Sequence, residues 1–594
     1  MDPGKEKFND ASSSRSEIGN NGNHFYDPSK ESIWTRLGVN FESFKRAPGV
    51  TGDRLVAGDL SEAEIEKIKS ETPMLQAKMK KRHLTMIAVG GSIGTGLFVG
   101  SGSALKIGGP AAILIGWIIM GVMLVNVTQA IGEMSILYPL SGGFYMLANR
   151  FLDPGFAFAM GWNYFLQWAV VLPLEITVAG TTVQYWTEKV PIAVWITVFW
   201  VVISEHKALA SPTHARIDQI FHAVILCLFG TLGYAEEEFW SSCLKLLIVV
   251  MFVFIGIICG GGPTGGEYDH YIGGSLWQNP GAFANGFQGV CAVFVTAAFS
   301  FSGTELVGLA ASETPNPRAT MPGAVKGTFW RITVIYVTSL TIIGLLIPWT
   351  DERLLGGTSA DLVNATICVS VLSIGLSCVY AGSRTLTALA ETGYAPRIFT
   401  YVDKSSRPLF SVIAVLLFAP IGYVNVVAVG DTVCELFFLI LWLQAISGLS
   451  VLFTWGAICL CHIRFRRAWK VQGHSTEELP FKAMGGVWGS WLGVILVVIV
   501  LIAQFYVAIW PVGGVSNGNE RAQSFFEAYL AAPIILAFWI GGYLWKRTMP
   551  WRAHEIDLDT GRKSWLTVEE MRQYRADRKA APSYVRIYRT LFTN

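Results

Sequence analysis

Charged residues are scarce in this sequence. Asp, Glu, Lys and Arg make up only 15% of its 594 residues, whereas hydrophobic residues make up 52%. Ordinary globular domains carry about 25% charged residues, so the composition excludes a soluble globular chain and indicates a membrane protein. The net charge of +2 gives no indication of a nucleic-acid partner, and we expect the lipid bilayer to be the main surroundings of the chain.

The sequence also lacks the motifs of common metal and enzyme sites. None of its nine cysteines forms a CxxC pair, so we interpret them as small core residues and predict neither a metal site nor a disulfide framework. No His-rich cluster or nucleophile elbow occurs, and the glycine-rich stretch at 90–96 lacks the lysine of a phosphate-binding loop. We therefore predict that the chain is not an enzyme and holds no cofactor.

Long apolar runs are abundant. A membrane-spanning helix needs about 20 apolar residues, and about twelve segments qualify. They are residues 84–105, 111–137, 156–185, 191–229 (interrupted), 240–259, 287–311, 329–348, 361–383, 408–429, 432–461, 486–510 and 524–545. We predict an all-α membrane protein with a disordered cytosolic tail over 1–77, a transmembrane domain over 78–547 and a second cytosolic tail over 548–594.

Lys and Arg are concentrated in alternate loops between these segments. They also flank the first segment at residues 78–82 and the last at residues 546–547. Cytosolic loops of membrane proteins carry an excess of Lys and Arg. The pattern therefore predicts an even number of spans, with both termini in the cytosol.

Four glycines in seven residues interrupt the first apolar segment at 90–96. Each glycine costs about 1 kcal/mol relative to alanine inside a helix. Irregular backbone at membrane depth must be buried or line a cavity. A broken helix also directs free N–H groups at whatever fills that cavity, and a small anionic group such as a carboxylate suits them. The stretch therefore predicts half of a transporter's substrate site.

A second interruption lies in the sixth segment at residues 299–305. It combines Gly303 and two serines with the ionisable Glu305 inside an apolar run. In inverted-repeat transporters the corresponding helices of the two halves are both unwound near the midplane. The first and sixth helices correspond when each half has five. The alternative is that both stretches only let helices pack closely.

Motifs in order along the chain resemble the fungal amino-acid permease family, which belongs to the amino acid–polyamine–organocation transporters. They include GGSIGTGLFVGSG, GEMSILYPLSGGF, VFVTAAFSFSGTELVGLAASET, SRTLTALAE and IDLDTGR. The likeness covers about residues 78–565 and is nearest to the general amino-acid permeases. It implies a LeuT-like 5+5 inverted repeat with helices 1 and 6 broken and two extra C-terminal helices. It also implies residence in the plasma membrane and proton-driven, broad-specificity amino-acid uptake by alternating access.

The chemistry of an α-amino acid and this resemblance assign the same roles to both interruptions. The N–H groups of Thr95 and Gly96 would bind the substrate carboxylate. The ammonium would lie against backbone carbonyls of Ser92, Ile93, Phe299, Ser300 and Ser302, with Gly94 and Gly303 in the same unwound segments. Phe299 or Phe301 could also cover the substrate as an external lid; we favour Phe299, and the alternative is core packing.

Four ionisable residues in the apolar spans are candidates for gating or proton coupling, because charge there is costly. Glu305 either helps close the cytosolic side of the site, as in relatives, or staples the unwound backbone. Lys245 either supplies a positive charge that exchanges a proton or snorkels to the headgroups. Glu133 and Glu175 are either proton carriers or braces for neighbouring backbone.

Three segments depart from the family pattern. Polar residues intrude at 204–222, the connection at 351–362 is short, and residues 435–442 are unusually apolar. We interpret the first two as gene-model errors, a hypothesis that sequencing the transcript would test. They leave an inactive product open as an alternative function, and a non-transporting amino-acid sensor of the same fold is another. Lysines in the N-terminal tail are possible acceptors for the ubiquitin machinery, as in relatives.

Overall fold

The computed structural model describes residues 45, 79–140, 142–187, 189–204, 230–262, 270–314, 316–351, 361–403, 407–423, 433–515, 517–563 and 568–583, with the backbone alone at 433–442. These ranges are helical and contain no β-strand. The α-helices are α1 Lys81–Gly90, α2 Thr95–Phe98, α3 Gly100–Gly108, α4 Pro110–Leu137, α5 Phe144–Phe151, α6 Pro154–Gln184, α7 Ile192–Ser204, α8 Gly230–Gly261, α9 Gly286–Phe301, α10 Leu306–Ala310, α11 Pro317–Trp330, α12 Thr338–Leu346, α13 Asp361–Glu391, α14 Leu409–Leu416, α15 Val433–Val471, α16 Gly486–Ile509, α17 Gly518–Tyr529, α18 Ala531–Lys546 and α19 Val568–Ala580. The predicted helical class is confirmed.

Within the described ranges, eight helical segments are long and apolar enough to cross a membrane. Two bent pairs raise the number to ten: α1–α3, bent by 54°, and α17–α18, bent by 65°. Two shorter apolar helices, Ile192–Val201 and Leu409–Tyr423, lie at the fourth and ninth predicted spans. Each of the twelve predicted segments therefore contains an apolar helix.

The first and sixth spans are broken where the glycines predict it. Helical backbone stops after Gly90 and resumes at Thr95; we call residues 90–96, the non-helical residues 91–94 with the helix ends beside them, the first break. In the sixth span, helix α9 ends at Phe301 and α10 begins at Leu306; we call residues 299–305, the non-helical residues 302–305 with the helix end before them, the second break. Within it Gly303 has a φ of 93°, in the left-handed region that favours glycine.

Local signals set where the neighbouring spans begin. Gly109 adopts a φ of 82° and Pro110 follows as the first residue of α4, a position where proline costs no hydrogen bond. Helix α6 begins at Pro154, and the side chain of Asp153 accepts a hydrogen bond of 2.8 Å from the N–H of Phe156. These caps fix the ends of the helices that carry the site.

Helix α6 lies at the centre of the bundle, where it packs against α7, α13, α15 and α18. Its middle turns are almost entirely buried. Helices α8 and α16 instead carry exposed apolar side chains such as Phe254, Trp488 and Ile502. Because large exposed apolar surfaces are unfavourable in water, these faces are the ones that lipid would cover. The functional side chains are therefore to be sought around α6.

The predicted C-terminal tail packs in part against the end of the bundle that carries the predicted cytosolic loops. Ile556 and Leu558 are buried, and the hydroxyl of Tyr138 donates a hydrogen bond of 2.7 Å to the carbonyl of Leu558. Helix α19 follows later in the chain, and a guanidinium nitrogen of its Arg572 lies 2.9 Å from a carboxylate oxygen of Glu477. Residues 548–563 are thus packed against the transmembrane domain.

The segments that depart from the family pattern lie largely outside the described residues. This holds for residues 205–229 and 352–360, and the predicted tail 1–77 also lies outside the described residues apart from Lys45. Residues 435–442 lie on helix α15, which runs ten residues beyond the predicted end of its span at 461. The extension packs on helix α5, since Arg464 donates a hydrogen bond of 3.2 Å to the carbonyl of the buried Phe151.

Candidate functional site

The two breaks touch each other. A Cβ atom on Gly96 would overlap the Cα of Ser300 and would lie 2.9 Å from its backbone nitrogen. A Cβ atom on Gly303 would lie 3.4 Å from the carbonyl oxygen of Gly91. Backbone from two spans about 200 residues apart in sequence is thus in close contact, both between helix ends, at Gly96 and Ser300, and between non-helical residues, at Gly303 and Gly91.

The first break leaves backbone N–H groups without backbone acceptors. The N–H groups of Leu97 and Phe98 both donate to the carbonyl of Gly94 at 3.0 Å. In the described part of the chain, no backbone carbonyl is bonded to the N–H groups of Thr95 and Gly96. Ile93 donates its own N–H to Gly90 at 2.9 Å, which folds the break back on α1.

At the second break, the carbonyl of Phe299 accepts the N–H of Ser302 at 3.0 Å. The hydroxyl of Ser300 donates to Thr296 at 2.8 Å, and the side-chain amide of Gln167 donates to the hydroxyl of Ser302 at 3.2 Å. Gln167 lies on α6, so the central helix contacts this break directly. Phe299 is buried at the same place, with 6% of its surface exposed.

Sequence reasoning missed Tyr336, which contacts both breaks. Its hydroxyl lies 3.0 Å from the carbonyl oxygen of Ser92 and 2.8 Å from that of Ser300. These are two of the carbonyls predicted to receive an ammonium group. A tyrosine in an apolar span is a weak signal, because such residues usually serve as packing.

A second missed residue is Arg331, which is fully buried in the membrane-spanning part of the molecule. One guanidinium nitrogen donates a hydrogen bond of 2.6 Å to the carbonyl of Ala88, near the end of α1. Another donates to the hydroxyl of Thr304 in the second break. The sequence did offer a signal for Arg331, because it lies inside the predicted span 329–348 and charge inside a membrane is costly.

Glu305 is buried beside the second break and accepts two hydrogen bonds. The N–H of Gly303 donates to one carboxylate oxygen and the indole of Trp455 to the other, each at 3.3 Å. The first contact matches the staple that sequence reasoning left open. The second ties the break to helix α15, so that Glu305 joins two spans.

Glu175 lies at the first break. It follows Pro173 on α6, and the hydroxyl of Thr95 donates to its carboxylate at 2.5 Å. The carboxylate is buried, with 1% of the residue exposed, and Lys245 is near enough to interact with it electrostatically. The structure therefore brings a predicted proton carrier directly against a predicted carboxylate-binding residue.

Lys245 is fully buried and does not extend toward an aqueous surface, unlike the snorkelling alternative. Its ammonium nitrogen lies 3.5 Å from the carbonyl oxygen of Gly90, at the start of the first break. It also lies 3.5 Å from a carboxylate oxygen of Glu238, which is equally buried. Ser373 on α13 donates to that carboxylate at 2.8 Å. Glu238 was missed because it belongs to a run of three glutamates that reads as a polar segment.

Glu133, predicted to be either a proton carrier or a brace of neighbouring backbone, contacts helix α15 and the segment before α16. It is fully buried, lies 2.6 Å from a guanidinium nitrogen of Arg466, and accepts the N–H of Ala483 at 2.6 Å. His462 lies 3.2 Å away. The long helix α15 and the segment before α16 cover the end of α4, which explains why the carboxylate is buried. Bracing of neighbouring backbone is the role that these contacts support.

The family model and the related sequences all indicate amino-acid permeases. A family model described as "Amino acid permease" matches residues 83–210 and 219–555, so its interruption falls inside the anomalous segment 204–222. The amino-acid permease inda1 of Hypocrea atroviridis is 50% identical over 90% of this chain and 89% of its own length. The general amino-acid permease GAP1 of Saccharomyces cerevisiae is 45% identical over 92% of this chain and 90% of its own.

One comparison with solved structures found a manganese transporter of Eremococcus coleocola, crystallised with an aromatic bis-isothiourea compound. It is 14% identical, covers 79% of this chain and 93% of its own, and has a TM-score of 0.46.

Proposed function

Because this chain belongs to the amino acid permease family, we propose that it takes up amino acids together with protons, by alternating access and with broad specificity. The resemblance seen in the sequence motifs is confirmed, and the chain is an amino-acid transporter with several membrane-spanning helices. Proton coupling, breadth of specificity and the roles of individual residues belong to the proposal.

The contact between the two breaks is the observation that carries the proposal. It sets Gly96, whose N–H group has no backbone acceptor among the described residues, against the backbone of Ser300. A carboxylate and an ammonium on one carbon atom need donors and acceptors arranged in that way. Since every α-amino acid has both groups, recognition by backbone atoms supports broad specificity.

In this proposal the N–H groups of Thr95 and Gly96 hold the substrate carboxylate. The ammonium lies among the carbonyls of the two breaks, which belong to Ser92, Ile93, Phe299, Ser300 and Ser302, while Gly94 and Gly303 give the backbone its shape. Phe299 covers the substrate from one side. Glu305 couples closure on the other side to helix α15 through Trp455.

Proton coupling is assigned to the pair nearest the first break, Glu175 and Lys245. Glu175 accepts a hydrogen bond from Thr95, a residue that also holds the substrate in this proposal. Protonation of Glu175 would weaken that bond and so alter the first break, which links proton binding to substrate binding. The proton is the coupling ion, and we propose no resident cofactor or metal; the described residues include no cluster of metal-binding side chains.

We further propose that the protein resides in the plasma membrane with both termini in the cytosol. The distribution of Lys and Arg along the chain supports that orientation. The lysines of the N-terminal tail are then accessible to the ubiquitin machinery.

The proposal is tested by uptake of a panel of radiolabelled amino acids in a permease-deficient yeast strain that expresses this chain. Surface expression is measured in parallel, and each assay is repeated with a protonophore. We expect uptake of many amino acids, mutual competition between them, and loss of uptake with the protonophore. Uptake that resists the protonophore would refute proton coupling, and uptake of one amino acid alone would refute broad specificity. Surface expression with substrate binding but no uptake would refute transport.

A further inference from the structure

The seventh span contributes two buried polar side chains that each join the first span to the sixth, at or beside the breaks. Arg331 connects Ala88, near the end of α1, with Thr304 in the second break. Tyr336 connects Ser92 in the first break with Ser300, the residue against Gly96. The two links thus run in parallel between the same pair of spans.

The backbone of the seventh span explains how both side chains reach the breaks. Residues five apart in an α-helix point about 140° away from each other around the axis. Residues Arg331–Val337, however, form a π-helical stretch between α11 and α12. Its i→i+5 hydrogen bonds place residues five apart close to one face, and such stretches are frequent at functional sites. The π-helical stretch therefore directs Arg331 and Tyr336 to the same side of the seventh span, the side that faces the breaks.

Neighbouring groups hold the two side chains in place. The ring of Phe301 lies 4.6 Å from the ring of Tyr336, and the guanidinium carbon of Arg331 lies 6.0 Å from the same ring. Both residues are almost completely buried, so water does not compete for their hydrogen bonds. Backbone carbonyls left without donors in such surroundings would be costly, which makes the two links strong constraints on the breaks.

We infer that Arg331 and Tyr336 form a clasp that holds the two breaks at the separation that amino-acid binding requires. The inference rests on the proposed function, because the carbonyls that the clasp fixes are those proposed to receive the substrate ammonium. The clasp residues are positioning residues, since they act on the substrate through the backbone of the breaks. The clasp thereby sets the affinity for the groups that all amino acids share, while side-chain selectivity is set elsewhere.

The first test is Tyr336→Phe, which removes one oxygen and keeps the ring that packs on Phe301. Without the hydroxyl, the breaks are free to separate and the substrate must draw them together. We expect KM to rise about tenfold, which corresponds to about 1.4 kcal/mol. The rise should be alike for small, apolar and cationic amino acids, and Vmax per surface molecule should stay near that of the wild type. A uniform change in KM separates positioning of the shared backbone site from general damage to the fold.

A matched control is Tyr138→Phe. It also removes a hydroxyl that donates to a buried carbonyl, that of Leu558, but it lies away from the breaks. We expect its KM to equal that of the wild type. The second test is Thr304→Val, which removes the acceptor of Arg331 in the second break. It should raise KM in the same uniform way, and it decides the matter if Tyr336→Phe does not reach the cell surface.

Several results would overturn the clasp. They are an unchanged KM in surface-expressed Tyr336→Phe, a fall in Vmax alone, and a KM that rises for only some amino acids. A lower KM would show that the hydroxyl competes with the ammonium. Absence of uptake by the wild type would instead refute the proposed function itself. Wild-type uptake with an unaltered variant refutes only the clasp.

Discussion

Replacing Gly96 with alanine is expected to disable the transporter while leaving most of the fold intact. The new Cβ atom would lie 2.8 Å from the hydroxyl oxygen of Ser300 and 2.9 Å from its backbone nitrogen. Non-bonded carbon contacts are optimal at about 3.5–4.0 Å, and the Cα of Ser300 would lie closer still than its nitrogen, so the two breaks would have to separate by about 1 Å or more. Because the obstacle is backbone, a change of side-chain rotamer cannot relieve it.

Overpacking of this kind costs about 1–3 kcal/mol. If that free energy falls on the assembled site, the population of binding-competent molecules drops by about 5- to 150-fold. We expect KM to rise within that range for every amino acid tested. The assay is concentration-dependent uptake in the permease-deficient strain, normalised to surface expression, together with thermal unfolding of the purified protein.

The matched control is Gly541→Ala on helix α18. It introduces the same methyl group at a position where a Cβ atom meets nothing within 4 Å. Alanine favours a helix over glycine by about 1 kcal/mol, so this variant should transport normally and unfold at an equal or higher temperature. Wild-type KM and Vmax in Gly96→Ala would refute the argument that the two breaks are in van der Waals contact.

Three further predictions follow from the buried charges and the C-terminal turn. Glu175→Gln should lose concentrative uptake but keep exchange of labelled for unlabelled amino acid, and wild-type accumulation would contradict its assignment as proton carrier. Lys245→Met removes the cation paired with the carboxylate of Glu238, so thermal unfolding should show that the free energy of unfolding falls by about 3–5 kcal/mol. Adding Glu238→Leu to the same chain should largely restore that stability. An equal loss in the single and the double variant would argue against the ion pair. Burial alone would raise the pKa of Asp557, but the N–H of Thr560 lowers it below its usual value. A carboxylate whose pKa is lowered on folding stabilises the folded turn, and this stabilisation is lost as the pH falls through that pKa. Limited proteolysis should therefore cleave the C-terminal turn faster below about pH 4 and at a constant rate above about pH 4.

The number of spans and the places where two of them break could be predicted from local sequence. Membrane spans follow from apolar runs of sufficient length, and helix breaks follow from clustered glycines. Both depend on residues that are adjacent in the chain. The same reasoning singled out Glu175, Lys245 and Glu305 as buried ionisable groups that need an explanation, and their roles in gating and coupling stay predictions.

Partners of buried groups could not be predicted in the same way. The sequence left Glu133 as either a proton carrier or a brace of neighbouring backbone, and only the structure shows that it pairs with Arg466 and the backbone N–H of Ala483. Lys245 was a candidate without a counter-ion, because Glu238 lay in a run of glutamates that suggested a polar segment. In each case the deciding contact comes from the packing of helices, which periodicity and composition do not encode.

The sequence by itself determined that the chain is a helical membrane protein of the permease family, with breaks in its first and sixth spans. Only the tertiary structure decided that those breaks touch at Gly96 and Ser300, and that Tyr336 joins them. Tyr336 is separated from Ser92 by 244 residues, and it reaches that carbonyl through a π-helical turn. Hydropathy and helix propensity are properties of neighbouring residues, whereas a hydrogen bond across that distance exists only once the spans have packed.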